Sequence, residues 1–148
     1  MDIMVSRVWY IDNFAYVFSQ SVGKAGGILL VWEKGCFCVT SMNSADRYII
    51  VKGNWAMDNW YCGIMGVYAS CILEEQSRLW VNIGAEIFAK SLPWFVRGDF
   101  NMITKIEKRG GGSSFSRGMS EFCEFIDRNA LFDVPLLGNK FTWFGHGN

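Results

Sequence analysis

This sequence is short of the residues that build metal centres and disulfide frameworks. It holds one histidine, His146, and two prolines in 148 residues. Its five cysteines (Cys36, Cys38, Cys62, Cys71 and Cys123) are an odd set with no repeating C-x-x-C spacing. That pattern argues against a disulfide scaffold and against a zinc finger, and it fits a reducing compartment where a thiol serves as a small apolar side chain. There is no excess of either charge. Lysine plus arginine and aspartate plus glutamate each number 14, so any nucleic-acid binding requires a local basic patch. Long apolar runs are lacking too. The strongest, Gly26 to Trp32, is far too short to span a bilayer. Met1-Asp2-Ile3-Met4 offers neither a basic start nor the apolar stretch of a leader. The expectation is an intracellular protein, nuclear or cytoplasmic, without a membrane partner.

What is present is core material. Hydrophobic residues make up 51% and aromatics 16%, which argues against disorder. The length suits one domain covering residues 1–148.

The first half reads as strands: Ala15 to Ser19, Gly27 to Trp32, Phe37 to Met42, Arg47 to Lys52 and Asn59 to Tyr68. Asn, Asp and Gly between them suit antiparallel hairpins. The continuous apolar run from Gly27 to Trp32 is that of a strand covered on both faces. The period then changes. Leu79, Trp80, Ile83, Ile87 and Phe88 form one stripe of a helix over 73–90, with Glu74, Glu75, Gln76 and Glu86 on the wet side. A strand at Trp94 to Val96 follows. Met119, Phe122, Cys123 and Ile126 mark a second helix over 116–129. Leu131 to Val134 reads as a short strand, and Phe141-Thr142-Trp143 as the start of another. The order predicts a mixed α/β domain with sheet inside and helices outside.

The chemistry gathers at Gly98-Asp99-Phe100-Asn101. On an extended backbone Asp99 and Asn101 share one side, while Phe100 turns toward a core. A carboxylate beside an amide suits phosphate-ester hydrolysis, where one orients water or shares a hard cation and the other holds phosphate or that water. A plain polar turn uses the same residues, and both readings stand on sequence alone. Lys105, Lys108, Arg109 and Arg117 flank a glycine- and serine-rich stretch that reads either as a basic arm near phosphate or as a solvated loop. It carries no phosphate-cradle signature.

Further residues extend the pattern. Trp94 to Asn101 is followed by Ile103, by Glu107-Lys108-Arg109-Gly110-Gly111, and by Met119, Phe122, Phe125-Ile126, Leu131, Asp133, Gly138 and Lys140-Phe141-Thr142-Trp143. Upstream lie Gly26 to Trp32 and Gly66-Val67-Tyr68-Ala69. In this order and spacing the chain resembles the endonuclease/exonuclease/phosphatase family, and more narrowly the endonuclease domain of plant non-LTR (LINE-type) retrotransposons. The resemblance implies a partial, DNase I-like four-layer α/β sandwich. It also implies a Mg²⁺-dependent site acting on DNA, in which Asp99 and Asn101 occupy the G-D-X-N motif and Asp99 borders the metal. Tyr68 matches a tyrosine near the phosphate, although an ordinary strand aromatic is an equal reading. Cys71 stands where many relatives carry Asn. Trp143 borders the DNA-facing rim in relatives, but large aromatics usually pack in cores.

The same resemblance implies truncation at both ends. The family's metal-binding Glu, in an E-T-K-like motif, falls before Met1. Its S-R-L-D strand and final Ser-Asp-His are absent, Asp2 and Asp12 do not replace the Glu, and His146 lacks a preceding Asp. The expectation is a fragment with weak or no activity alone, whose uncovered apolar surface favours oligomerisation. A phosphatase, an RNA nuclease of the same family, or a non-catalytic interaction domain are the alternatives.

Overall fold

The computed structural model describes residues 13–20, 26–89, 91–102 and 116–134, and all statements below concern those residues. Strands β1 (Phe14–Ser19) and β2 (Ile28–Glu33) form an antiparallel pair. Strands β3 (Phe37–Ser44), β4 (Tyr48–Trp55), β5 (Trp60–Tyr68) and β6 (Trp94–Asp99) form a second sheet in that order. Its first three strands run antiparallel, and β6 joins β5 in parallel. A parallel neighbour needs a long crossover. Helix α1 (Leu73–Phe88) supplies it, and α2 (Arg117–Arg128) packs beside α1.

Side-chain alternation along β4 and β5 builds a core on each face of the larger sheet. Tyr48, Ile50, Met65, Val67 and Ala69 face Leu79, Trp80 and Ile83 of α1 and Phe122 and Phe125 of α2. Ile49, Val51 and Cys62 join Phe37 on the opposite face, against Val17, Ile28, Leu30 and Trp32 of the smaller sheet. Described residues thus build helices, sheet and sheet, three of the four expected layers of an α+β sandwich. Gly66 eases close approach between the sheets, since a β-carbon there would lie 2.8 Å from Leu30 Cδ2 and that side chain would have to shift. Burial at this density, with aromatic rings 5.0–6.2 Å apart around Trp80, gives the helix layer its main adhesion.

Four details differ from the expectations. First, β2 is covered on one face: Ile28, Leu30 and Trp32 point inward, while Leu29 is 39% exposed. Its neighbour β1 pairs with it but does not cover its outer face. Second, Gln76 lies on the buried side of α1, at 1% exposure. Third, Phe88 at the end of the expected stripe is exposed. Fourth, Leu131 to Val134 forms no strand. Ala130 adopts a left-handed φ of 49°, its N–H donates to Asp127 O, and the Leu131 N–H reaches back to Ile126 O at 3.0 Å. This is the paired-bond end of a helix, and it spends Leu131 on closing α2. The Phe141–Trp143 expectation lies outside the described residues.

Among the described residues, no helix is long and apolar enough to cross a membrane. At the far end of β5, Trp60 and Phe95 are each more than 40% exposed and meet edge to face at 5.7 Å.

Candidate functional site

Parallel β5 and β6 end side by side, and in open α/β sheets ligands gather outside such carboxyl ends. Tyr68 and Asp99, the last residues of the two strands, are direct partners in the ladder. The Tyr68 N–H donates to the carbonyl of Arg47, just before β4, at 3.0 Å. Arg47, Tyr68 and Asp99 therefore form a row across three neighbouring strands.

Gly98 permits this ending. Its φ is +145°, and a β-carbon there would fall 1.9 Å from the Val67 carbonyl oxygen. A side chain at this position is excluded by both backbone and space. Beyond Asp99 the chain turns at once. Asp99 Oδ1 accepts the Asn101 N–H at 2.9 Å, and Asn101 sits at a left-handed φ of 47°, a conformation asparagine tolerates better than most residues. The extended alternation expected of Asp99 and Asn101 stops here. Asn101 does not stand beside Asp99 on a strand. Its Nδ2 donates to the Ala69 carbonyl at 2.7 Å, and the Ala69 N–H donates to Asp99 O at 2.8 Å. Phe100 does turn inward, with its ring 5.3 Å from that of Phe122 and 6.2 Å from that of Trp80.

The turn and the site are thus one structure. Asp99 shapes the turn with one carboxylate oxygen while remaining exposed. Gln76, buried beneath, donates to Ser70 O at 2.7 Å and lies 3.5 Å from Asn101 O, so it braces the segment leaving β5. A buried amide must be satisfied, and these carbonyls satisfy it.

Two hollows meet at Arg47 and Tyr68. The inner one, about 40 Å³, lies between the sheets and is bordered by Gly26, Gly27 and Asp46. It has room for ordered water but not for a nucleotide. The outer one, about 270 Å³ and open, is bordered by Ser70, Cys71 and Asn101. Enclosed small-molecule pockets begin at roughly 300 Å³. This shallower cleft suits one group of a longer molecule laid across it. Arg47 Nη2 is held 3.2 Å from Glu75 Oε2 on the first turn of α1.

The described residues do not by themselves complete a magnesium site. Among the described residues, no three His, Cys, Asp or Glu side chains converge. Mg²⁺ asks for near-octahedral oxygen ligation, usually anchored by one or two carboxylates. Here one oxygen of Asp99 is committed to the Asn101 amide.

Of the sequence expectations, Tyr68 and Asp99 are neighbours, and Asn101 is tied to the same corner. Arg117 pairs with Glu121 at 2.7 Å within α2. Lys105, Lys108, Arg109, Trp143, His146, Asp2 and Asp12 lie outside the described residues. Sequence reading missed Arg47 and Gln76. Gln76 carried a signal, since positions 76, 79, 80 and 83 share one helical face. Arg47 carried none until β4 and β5 were paired.

No family model matches this sequence, and no curated protein matches it. Among solved structures, the chain is similar to the human Nocturnin catalytic domain with bound sulfate anion, with a TM-score of 0.47 and 14% identity. The match covers 67% of this chain and 45% of that chain, so the sequence spans less than half of that neighbour's length.

Proposed function

We propose that this chain is part of an endonuclease/exonuclease/phosphatase-type domain of plant LINE-retrotransposon lineage, and that it takes a DNA phosphodiester at the ends of β5 and β6. The observation that carries this reading is the row of Arg47, Tyr68 and Asp99, with Asn101 locked beside it. A guanidinium and a phenol can donate to phosphate oxygens, and an exposed carboxylate can orient water or take one side of a metal ion. The open outer cleft favours a polymer backbone over an enclosed small phosphate ester. With no three candidate ligands converging among the described residues, Mg²⁺ would be held weakly and hydrolysis by the chain alone would be slow.

A plasmid-nicking assay with and without Mg²⁺ tests this. The expected result is slow, Mg²⁺-dependent nicking that disappears in Asp99→Ala. Fast cleavage by the purified chain, or nicking that persists in Asp99→Ala, would overturn it. The lineage is tested separately in the genome, where flanking DNA should encode an E-T-K-like stretch upstream and a reverse transcriptase downstream.

A further inference from the structure

We infer that Arg47 is the residue that grips the phosphodiester, and that Glu75 is a built-in competitor holding its guanidinium between binding events. This deepens the phosphodiester reading above and rests on it. Arg47 borders both hollows, and it is the one cation among the described residues that line them. Its backbone is fixed, because its carbonyl accepts the Tyr68 N–H at 3.0 Å. Its head group is not. It touches Glu75 through Nη2 and one carboxylate oxygen at 3.2 Å, which is one contact and not the two-pronged fork that guanidinium and carboxylate form at their best.

A guanidinium carries five N–H donors in a planar fork that matches two phosphate oxygens. Exchanging Glu75 for phosphate is cheap, because the paired side chains are 31% and 35% exposed and a pair that open adds little to stability. Asp46 borders the inner hollow and Asp99 ends the strand beside Tyr68, and both repel phosphate, so the charge of Arg47 decides whether an anion can settle there. Glu75 draws on that charge, and a phosphate must take it over.

The test is a titration of a short double-stranded DNA oligonucleotide, without added metal and over a range of salt, with the full chain and three variants. Arg47→Ala should weaken binding about tenfold or more, and should lower the slope of log affinity against log salt by about one phosphate contact. Arg47→Lys should keep the slope and recover part of the affinity. Glu75→Gln should tighten binding several-fold. The opposite signs matter, because both substitutions break the same ion pair. A merely structural pair would make both variants bind worse and melt earlier. An unchanged salt slope in Arg47→Ala, or weaker binding by Glu75→Gln, overturns the inference and leaves the phosphodiester reading standing. A wild-type chain that binds no DNA at low salt overturns both.

Discussion

The Asn101 side-chain amide donates to the Ala69 carbonyl at 2.7 Å, joining residues that leave two different strands. With the Ala69 N–H bonded to Asp99 O, the exits of β5 and β6 are stitched in both directions. In this chain Asn101 is a positioning residue that fixes where Asp99 stands.

Asn101→Ala should therefore destabilise the fold by about 1–2 kcal/mol, through the lost hydrogen bond and a poorer left-handed residue. Asn101→Gly should cost less, since glycine adopts φ near 47° freely. Urea unfolding of the two variants measures the difference, and equal losses would show that the backbone conformation plays no part.

The turn held by Asp99 is separable from the catalytic role proposed for it. Asn keeps an oxygen that can accept the Asn101 N–H but removes the charge. Asp99→Asn should stay within about 0.5 kcal/mol of the parent in stability, yet lose Mg²⁺-dependent nicking. Asp99→Ala should lose both the nicking and roughly 1 kcal/mol, as a missing turn hydrogen bond would. An Asp99→Asn chain that nicks as well as the parent would reduce Asp99 to a turn former.

Ala130 ends α2 in the left-handed region at φ 49°, where glycine is the usual occupant. Ala130→Gly should stabilise the protein by up to about 1 kcal/mol, because relief of strain outweighs the added freedom of the unfolded chain. A lowered thermal midpoint would contradict this.

Glu121 gives the acid response. A hydrogen bond from Ser77 on α1, and then the Arg117 guanidinium at 2.7 Å, hold its carboxyl below the ordinary value of 4.5. A carboxyl depressed in the folded chain contributes stability above its unfolded pKa and loses it as pH falls through the folded one. Wild type should thus exceed Glu121→Gln in stability near neutrality, with the gap closing below about pH 4.5. Denaturation series at several pH values would show it, and a constant gap would mean that the charge is irrelevant.

Much of the architecture was legible because β4 and β5 carry the continuous apolar runs of strands buried on both faces, while the two helices repeat their apolar residues at about three and a half. The turn at Asp99 was legible as a turn, since Gly, Asp and Asn are explicit backbone signals, but not as the extended alternation also expected there. Three features were missed for physical reasons. Ala130 looks like a helix former, and its left-handed pose is imposed by the bonds that close α2. Gln76 is polar, and its burial depends on carbonyls of Ser70 and Asn101 that only the folded corner brings to it. Arg47 precedes an ordinary β-branched run, and its meaning comes from pairing with Tyr68, 21 positions away in the sequence.

The parallel rung between Tyr68 and Asp99 also has a kinetic meaning. Hairpins β3–β4 and β4–β5 close over short loops, whereas β6 must wait for α1 to bring it back across 31 residues. Long-range closures come late and slowly. The Ala69 amide, which bonds Asp99 O, should accordingly be among the last in the sheet to resist exchange with solvent deuterium during refolding. A chain that has built most of its sheet would still lack the corner at which Tyr68 and Asp99 meet.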